Sequence, residues 1–178
     1  MMNNLKARWK ALRRRYWVAL LLDVALIVGV FWAINAWQTR NLPGPGQLPA
    51  LQAAWLDGGE VSSPWPDSGV GIVYFFAPWC FYCKHSIGHI DELVRDGEAA
   101  WARAVALDYG SLDEVRAFID EVGLQQPVLL GAPETAAAWN IRAFPTYFVI
   151  GEDGGISSRS VGYATMIGLK TRVLLARE

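Results

Sequence analysis

The chain is poor in metal-ligating side chains: two cysteines and two histidines in 178 residues. A structural zinc site takes about four ligands. Here all four would come from Cys80, Cys83, His85 and His89, on one or two helical turns, which argues against such a site. His85 and His89 read instead as helix-surface residues. Internal repeats and low-complexity tracts are missing, as are a Gly-rich phosphate loop, a carboxylate pair and a Ser/His/Asp pattern. Those absences remove the sequence signals for nucleotide binding, paired-carboxylate catalysis and serine-type hydrolysis. Acids are missing from residues 1–15, which hold Lys6, Arg8, Lys10, Arg13, Arg14 and Arg15. Of the seventeen acids only Asp23 precedes residue 41, so residues 41–178 carry sixteen acids against nine bases.

What is present is Trp79-Cys80-Phe81-Tyr82-Cys83, after the apolar run Gly71–Ala77 and before Lys84-His85-Ser86-Ile87-Gly88-His89-Ile90. This reads as a buried strand, a turn, and a helix opening at the first cysteine. Cysteines three apart on a first helical turn close a small disulfide ring. The first sulfur lies beside unsatisfied backbone N–H groups and the positive end of the helix dipole, which favour thiolate over thiol. Cys80 is therefore expected to titrate below the free value of about 8.5 and to attack a partner disulfide. Cys83, deeper in the helix, is expected to be more buried and to resolve the mixed disulfide. Trp79 offers a flat wall beside an exposed Cys80 sulfur, and Lys84 and His85 add positive character. A static staple is the weaker reading, because so short a loop constrains the unfolded chain little.

The basic run abuts Tyr16–Trp37, YWVALLLDVALIVGVFWAINAW. At helical rise this segment spans about 33 Å, against a hydrocarbon core of about 30 Å. Trp9, Tyr16 and Trp17 flank one end, and Phe31, Trp32 and Trp37 the other, as at membrane interfaces. A signal peptide has a shorter apolar region and a small-x-small site; Ile34-Asn35-Ala36 is a poor one. The reading is an uncleaved anchor. With bases before it and only Arg40 just after, the N-terminus is expected in the cytoplasm and the C-terminal part in the periplasm of a bacterial inner membrane. Nucleic acid is not expected as a partner; the bilayer is. Asp23, inside the span near its cytoplasmic end, is read as tolerated or engaged by arginines or a partner helix. The expected organisation is a cytoplasmic basic segment, 1–15; a transmembrane anchor, 16–37; a Pro/Gly-rich linker, 38–47; and one domain, 48–178.

Within that domain Leu48–Pro66 reads as irregular, with Gly58-Gly59 a hairpin signal flanked by Val61. Strands are expected at Ile72–Phe76, Ala104–Leu107, Val128–Leu130, Tyr147–Ile150 and Ile156–Val161. The last two are joined by Glu152-Asp153-Gly154-Gly155. Helices are expected from Cys80 to about Val94, with Gly88 marking a bend, and from Ser111, which opens a capping box with Glu114, to Gly123. Two more are expected at Glu134–Asn140 and about Thr165–Ala176. Strands alternating with helices, then a closing hairpin, indicate an α/β domain with a mixed central sheet flanked by helices.

Trp79-Cys80-x-x-Cys83, Asn140-Ile141-Arg142-Ala143-Phe144-Pro145-Thr146, Asp153-Gly154-Gly155 and Gly162 together resemble the thioredoxin superfamily over about residues 48–176. The resemblance implies that Pro145 is cis, lies against the cysteines and joins them as a catalytic residue. It also implies that Phe144 offers its backbone to a substrate strand, and that Trp79, Phe81 and Tyr82 border the substrate. The extra helix and strand over Ser111–Leu130 are similar to membrane-anchored periplasmic thioredoxins of the TlpA type. The segment Gly162–Arg172 resembles the suppressor-of-copper-sensitivity D-type oxidoreductases. These resemblances imply a protein-disulfide oxidoreductase acting on cysteine-containing envelope proteins. They imply reduction as the leading direction, with a membrane reductase of the DsbD type as electron donor. Electrons would pass through protein thiols, so no organic cofactor and no metal is expected.

Two departures bear on direction. Reducing thioredoxins usually carry Gly-Pro between the cysteines and a buried acid six residues before the first; here the residues are Phe81-Tyr82 and Tyr74. A neutral phenol does not relay protons as a carboxylate does near pH 7, and Glu98 and Asp108 are the candidate substitutes. The alternatives are an oxidase or isomerase, and a non-enzymatic copper(I)-binding thiol module, since soft thiolates suit copper(I).

Overall fold

The computed structural model describes residues 2–46, 48–59, 65–66 and 68–177. Contacts divide the chain into two units, Met1–Arg40 and Asn41–Glu178.

The first unit is one helix, α1 (Met2–Thr39). Its Arg15–Thr39 stretch is long and apolar enough to cross a membrane. The side chains from Tyr16 to Ile34 are exposed along it. At its end the Arg40 guanidinium lies 5.4 Å from the Trp37 ring centre.

The second unit is built on a six-stranded sheet with the order β1-β4-β3-β2-β5-β6. The strands are β1 (Ala53–Trp55), β2 (Gly71–Phe76), β3 (Trp101–Ala106), β4 (Val128–Gly131), β5 (Thr146–Ile150) and β6 (Ile156–Val161). β2, β3 and β4 run parallel, while β1, β5 and β6 pair antiparallel, so the sheet is mixed as expected. The helices are α2 (Phe81–Lys84), α3 (Gly88–Arg95), α4 (Leu112–Val122), α5 (Pro133–Ala138) and α6 (Met166–Leu175).

The central strand β2 is buried at every position, which is why it reads as an unbroken apolar run. Ile72, Tyr74 and Phe76 join a core with Ile87, Ile90 and Leu93 of the helical layer, Val115 and Phe118 of α4, and Leu169 and Val173 of α6. Val73 and Phe75 face the opposite core, with Trp101, Leu129, Trp139 and Phe148. Trp139 is fully buried there, with ring centres of Phe75 and Phe148 at 5.1 and 5.0 Å. Gly71 is required: a Cβ on it would stand 2.0 Å from the Trp101 ring.

Three segments differ from the sequence expectations. β1 pairs with β4, seventy-odd residues away, while the second arm of the hairpin expected at Gly58-Gly59 lies outside the described residues. The glycines, at φ of 91° and 110°, turn the chain out of β1, and Val61 lies outside the described residues. The helix expected from Cys80 to Val94 is two helices, with residues 85–87 as turn between them. The Pro/Gly stretch after Arg40 lies on the domain. The Asn41 carbonyl accepts from the Asn140 amide at 2.6 Å, the Leu42 carbonyl from Arg159 at 2.8 Å, and the Gly46 carbonyl from the Ile156 N–H at 3.0 Å. The last of these pairs the first backbone N–H of β6, an edge strand.

The α4 caps follow the sequence. Ser111 Oγ accepts from the Glu114 N–H at 3.3 Å, and Glu114 Oε2 accepts from the Gly110 N–H at 2.9 Å, one residue earlier than in a standard box. Gly123 closes the helix at φ 66°. Asp91 of α3 accepts from the N–H groups of Gln125 (3.1 and 3.3 Å) and Gln126 (3.1 Å), holding the inserted α4–β4 segment to the helix that follows the cysteines.

Candidate redox site

At the end of β2 the chain leaves the sheet through Ala77-Pro78-Trp79 and reaches Cys80, whose N–H donates to the Ala77 carbonyl at 3.0 Å. Cys80 is the N-cap of α2, in extended conformation, and its sulfur accepts from the Cys83 N–H at 3.1 Å. A thiolate at this position is stabilised by an aimed amide donor and by the helix N-terminus. Cys80 and Cys83 are joined by a disulfide, with Cα atoms 5.2 Å apart.

The pair is less open than the sequence suggests. Cys80 is 4% exposed and Cys83 0%. The order is as expected, but the first sulfur is recessed rather than exposed. Its neighbours project instead: Trp79, Phe81 and Tyr82 are 64%, 65% and 59% exposed. The aromatic residues form a rim around a nearly covered sulfur.

That rim is anchored. The Trp79 indole N–H donates to the Asp108 carbonyl at 3.0 Å, and its ring meets Phe144 edge-on at 5.8 Å. Asp108 sits in the loop after β3 at φ 50°, and it is the backbone that Trp79 uses. The Phe144–Pro145 peptide bond is cis, and the Pro145 carbonyl accepts from the Gly162 N–H at 2.8 Å. Thr146 then opens β5, in register with Phe75 of β2, so the proline loop lies at the cysteine end of the sheet. Phe81 packs against His85 at 4.3 Å and against Tyr82 at 5.7 Å.

Lys84 pairs with Glu121 of α4 at 2.7 Å. His85 Nδ1 donates to the Phe81 carbonyl at 2.9 Å, and His89 Nδ1 to the Ala164 carbonyl at 2.8 Å. Tyr163, 49% exposed, extends the aromatic surface, with its hydroxyl 3.4 Å from the His85 carbonyl. Among the described residues no three His, Cys, Asp or Glu side chains gather as a metal site.

Tyr74 occupies the interior behind the pair. Its hydroxyl lies 2.7 Å from Ser86 Oγ, and its ring stacks on Tyr147 with centres 6.3 Å apart. Burial drives the phenol's pKa far above its ordinary value, and the Ser86 hydrogen bond only partly opposes that shift. Tyr74 is therefore protonated at neutral pH and is no general base there. Glu98 does not replace it. Glu98 precedes β3, whose first residue Trp101 is in register with Gly71, at the end of β2 away from the cysteines, and it pairs with Lys170 of α6.

Ser86 is the residue the sequence reading missed. A serine inside a helical pattern invites the question of whether it bonds back to the carbonyl four residues earlier. Here it does, donating to the Tyr82 carbonyl at 2.8 Å.

Residues 46–159 match the AhpC/TSA family. The chain is 27% identical over 158 residues to thioredoxin-like protein YneN of Bacillus subtilis (strain 168), covering 84% of this chain and 91% of that one. It is 31% identical over 134 residues to thiol:disulfide interchange protein CycY of Rhizobium leguminosarum bv. viciae, covering 74% of this chain and 65% of that one. Among solved structures, a thiol:disulfide interchange protein of the thioredoxin family from Chlorobium tepidum TLS superimposes with a TM-score of 0.62. It is 26% identical, and the match covers 75% of this chain and 97% of that one. The thioredoxin-like fold expected from the motifs is thus present, with a Cys-x-x-Cys disulfide at the tip of its central strand, the equipment of a thiol–disulfide oxidoreductase. This chain belongs to the AhpC/TSA family and has its thioredoxin-like fold.

Proposed function

We propose that this chain is a membrane-anchored reductant of disulfides in envelope proteins, with Cys80 as nucleophile and Cys83 as resolving cysteine. The observation that carries the roles is the Cys83 N–H aimed at the Cys80 sulfur from the helix N-terminus, 3.1 Å away. In the reduced enzyme the Cys80 thiolate attacks one sulfur of a client disulfide. The Cys80–client bond forms, and the other client sulfur leaves as a thiolate and takes a proton. Cys83 then loses its proton and attacks the Cys80 sulfur. The Cys80–Cys83 bond forms and the second client thiolate departs, so two electrons pass from the pair to the client. Trp79, Phe81, Tyr82 and Phe144 form the apolar rim a client segment meets, and the Phe144–Pro145 backbone lies where that segment would pair.

Cys83→Ala removes the resolving step. In cells it should accumulate mixed disulfides through Cys80 with cysteine-containing envelope proteins, which reducing agent releases. Absence of any such adduct, or adducts that persist when Cys80 is also replaced, would refute the reading. Recharging by a DsbD-type membrane reductase predicts that the wild-type pair is found reduced in cells and oxidised when that reductase is removed.

Orientation follows from the charge asymmetry: six bases before residue 16 and Arg40 just beyond the span favour an N-terminus in the cytoplasm and residues 48–178 in the periplasm. A reporter that is active only outside the cytoplasm, fused after residue 178, should be active. Activity of a cytoplasm-only reporter there would reverse the topology and the compartment.

A further inference from the structure

Three contacts around the pair form one directed chain. Ser86 has a single hydroxyl hydrogen, and it is donated to the Tyr82 carbonyl at 2.8 Å. The 2.7 Å contact between Tyr74 and Ser86 must then be donated by the Tyr74 hydroxyl. The Tyr82 carbonyl and the Cys83 N–H belong to one peptide group, and that N–H donates to the Cys80 sulfur at 3.1 Å. Each donor points the same way, from the buried centre of β2 to the first cysteine. Hydrogen bonds in series polarise one another, and a donor on a peptide oxygen strengthens that peptide's own N–H as a donor.

We propose that Tyr74, acting through Ser86 and the Tyr82–Cys83 peptide, is a positioning residue that favours the Cys80 thiolate. This rests on the thiol–disulfide reading above. The ring is held by burial and by the stack on Tyr147, so the hydroxyl is fixed by the sheet rather than by the turn it supports. Ser86 lies within the interruption at residues 85–87, and its bond ties that turn to the α2 carbonyl next to Cys83. The residue at this point is therefore neither a proton relay nor an idle core aromatic. It sets the strength of the one amide donor aimed at the nucleophile.

The test uses the full chain in detergent and needs no client. Tyr74→Phe, Ser86→Ala and the double variant are compared with wild type in the pH profile of Cys80 alkylation and in the equilibrium with glutathione. Thermal unfolding confirms that each is folded. The charged or titratable groups on the elements packed around this end of the domain include Tyr82, Lys84 and His85 beside the pair, His89 and Asp91 of α3, Asp108 and Tyr109 after β3, Glu121 of α4, Arg142 before β5, Tyr147 of β5 and Tyr163 before α6. They are unchanged in every variant. Each single variant should move the alkylation midpoint up by about half a unit and shift the glutathione equilibrium about threefold toward the disulfide. The double variant should match the singles, because either change breaks the same chain. Unshifted midpoints and equilibria in folded Tyr74→Phe, or additive shifts in the double variant, would overturn the proposal. Failure of the wild-type pair to exchange with glutathione at all would instead overturn the redox reading beneath it.

Discussion

Cys80→Ser should lose disulfide exchange completely, to the uncatalysed background of an insulin-reduction assay, while the protein stays folded. A serine hydroxyl is not ionised at neutral pH and forms no stable bond to sulfur, so the first covalent step disappears. The change is small in volume and at a site whose backbone donor, the Cys83 N–H, can still find an oxygen acceptor. The cost in stability should therefore come chiefly from the lost disulfide, which closes a short loop and contributes little by restricting the unfolded chain. Cys83→Ala should also lose turnover but retain the first step, so the two variants separate by what they accumulate: free protein in one, mixed disulfide in the other. Measurable catalytic exchange by Cys80→Ser would remove the nucleophile assignment.

The largest effect on stability is expected at Trp139→Ala, a loss of about 3–5 kcal/mol. Trp139 fills the core on the face of the sheet that holds Val73, Phe75 and Phe148, with Trp65 packed beside it at 5.9 Å. Its indole N–H donates to the Ala50 carbonyl at 3.3 Å, which ties the segment before β1 to α5. Truncation removes the ring contacts, leaves a large cavity and frees that carbonyl. Against a total of about 5–15 kcal/mol for a domain, the variant should unfold at markedly lower urea. A loss under about 1 kcal/mol would mean that the core on that face is not organised around this ring.

The parts legible in the sequence were those set by local pattern. The apolar run of β2 marks a strand buried on both faces, and the cysteines after it mark the redox turn. Ser111, Glu114 and Gly123 bound α4 by their own chemistry. The β5–β6 hairpin follows from Asp153-Gly154-Gly155 between two strands. What was not legible depends on partners distant in sequence. β1 is three residues with no alternation, and it is a strand only because β4 lies beside it. Lys84 reads as a charge near the sulfurs, and its partner Glu121, on the inserted helix, lies 37 residues on. Cys80 reads as exposed at a helix start, but it is buried as part of the core that includes Tyr74, Phe76 and Cys83. Tyr74 reads as a lost carboxylate. Its partner Ser86 sits twelve positions on, in a helix whose interruption is not signalled by Gly88, since Gly88 begins α3 rather than bending it.

If Cys80 is the reactive sulfur, favoured by the helix terminus and the Cys83 amide, with Cys83 buried behind it, the two thiols differ in rate. Limited alkylation of the reduced protein at neutral pH, with the modified cysteine identified by mass spectrometry, measures that difference. Cys80 should be labelled many times faster than Cys83; equal rates, or faster labelling of Cys83, would remove the assignment of Cys80 as nucleophile.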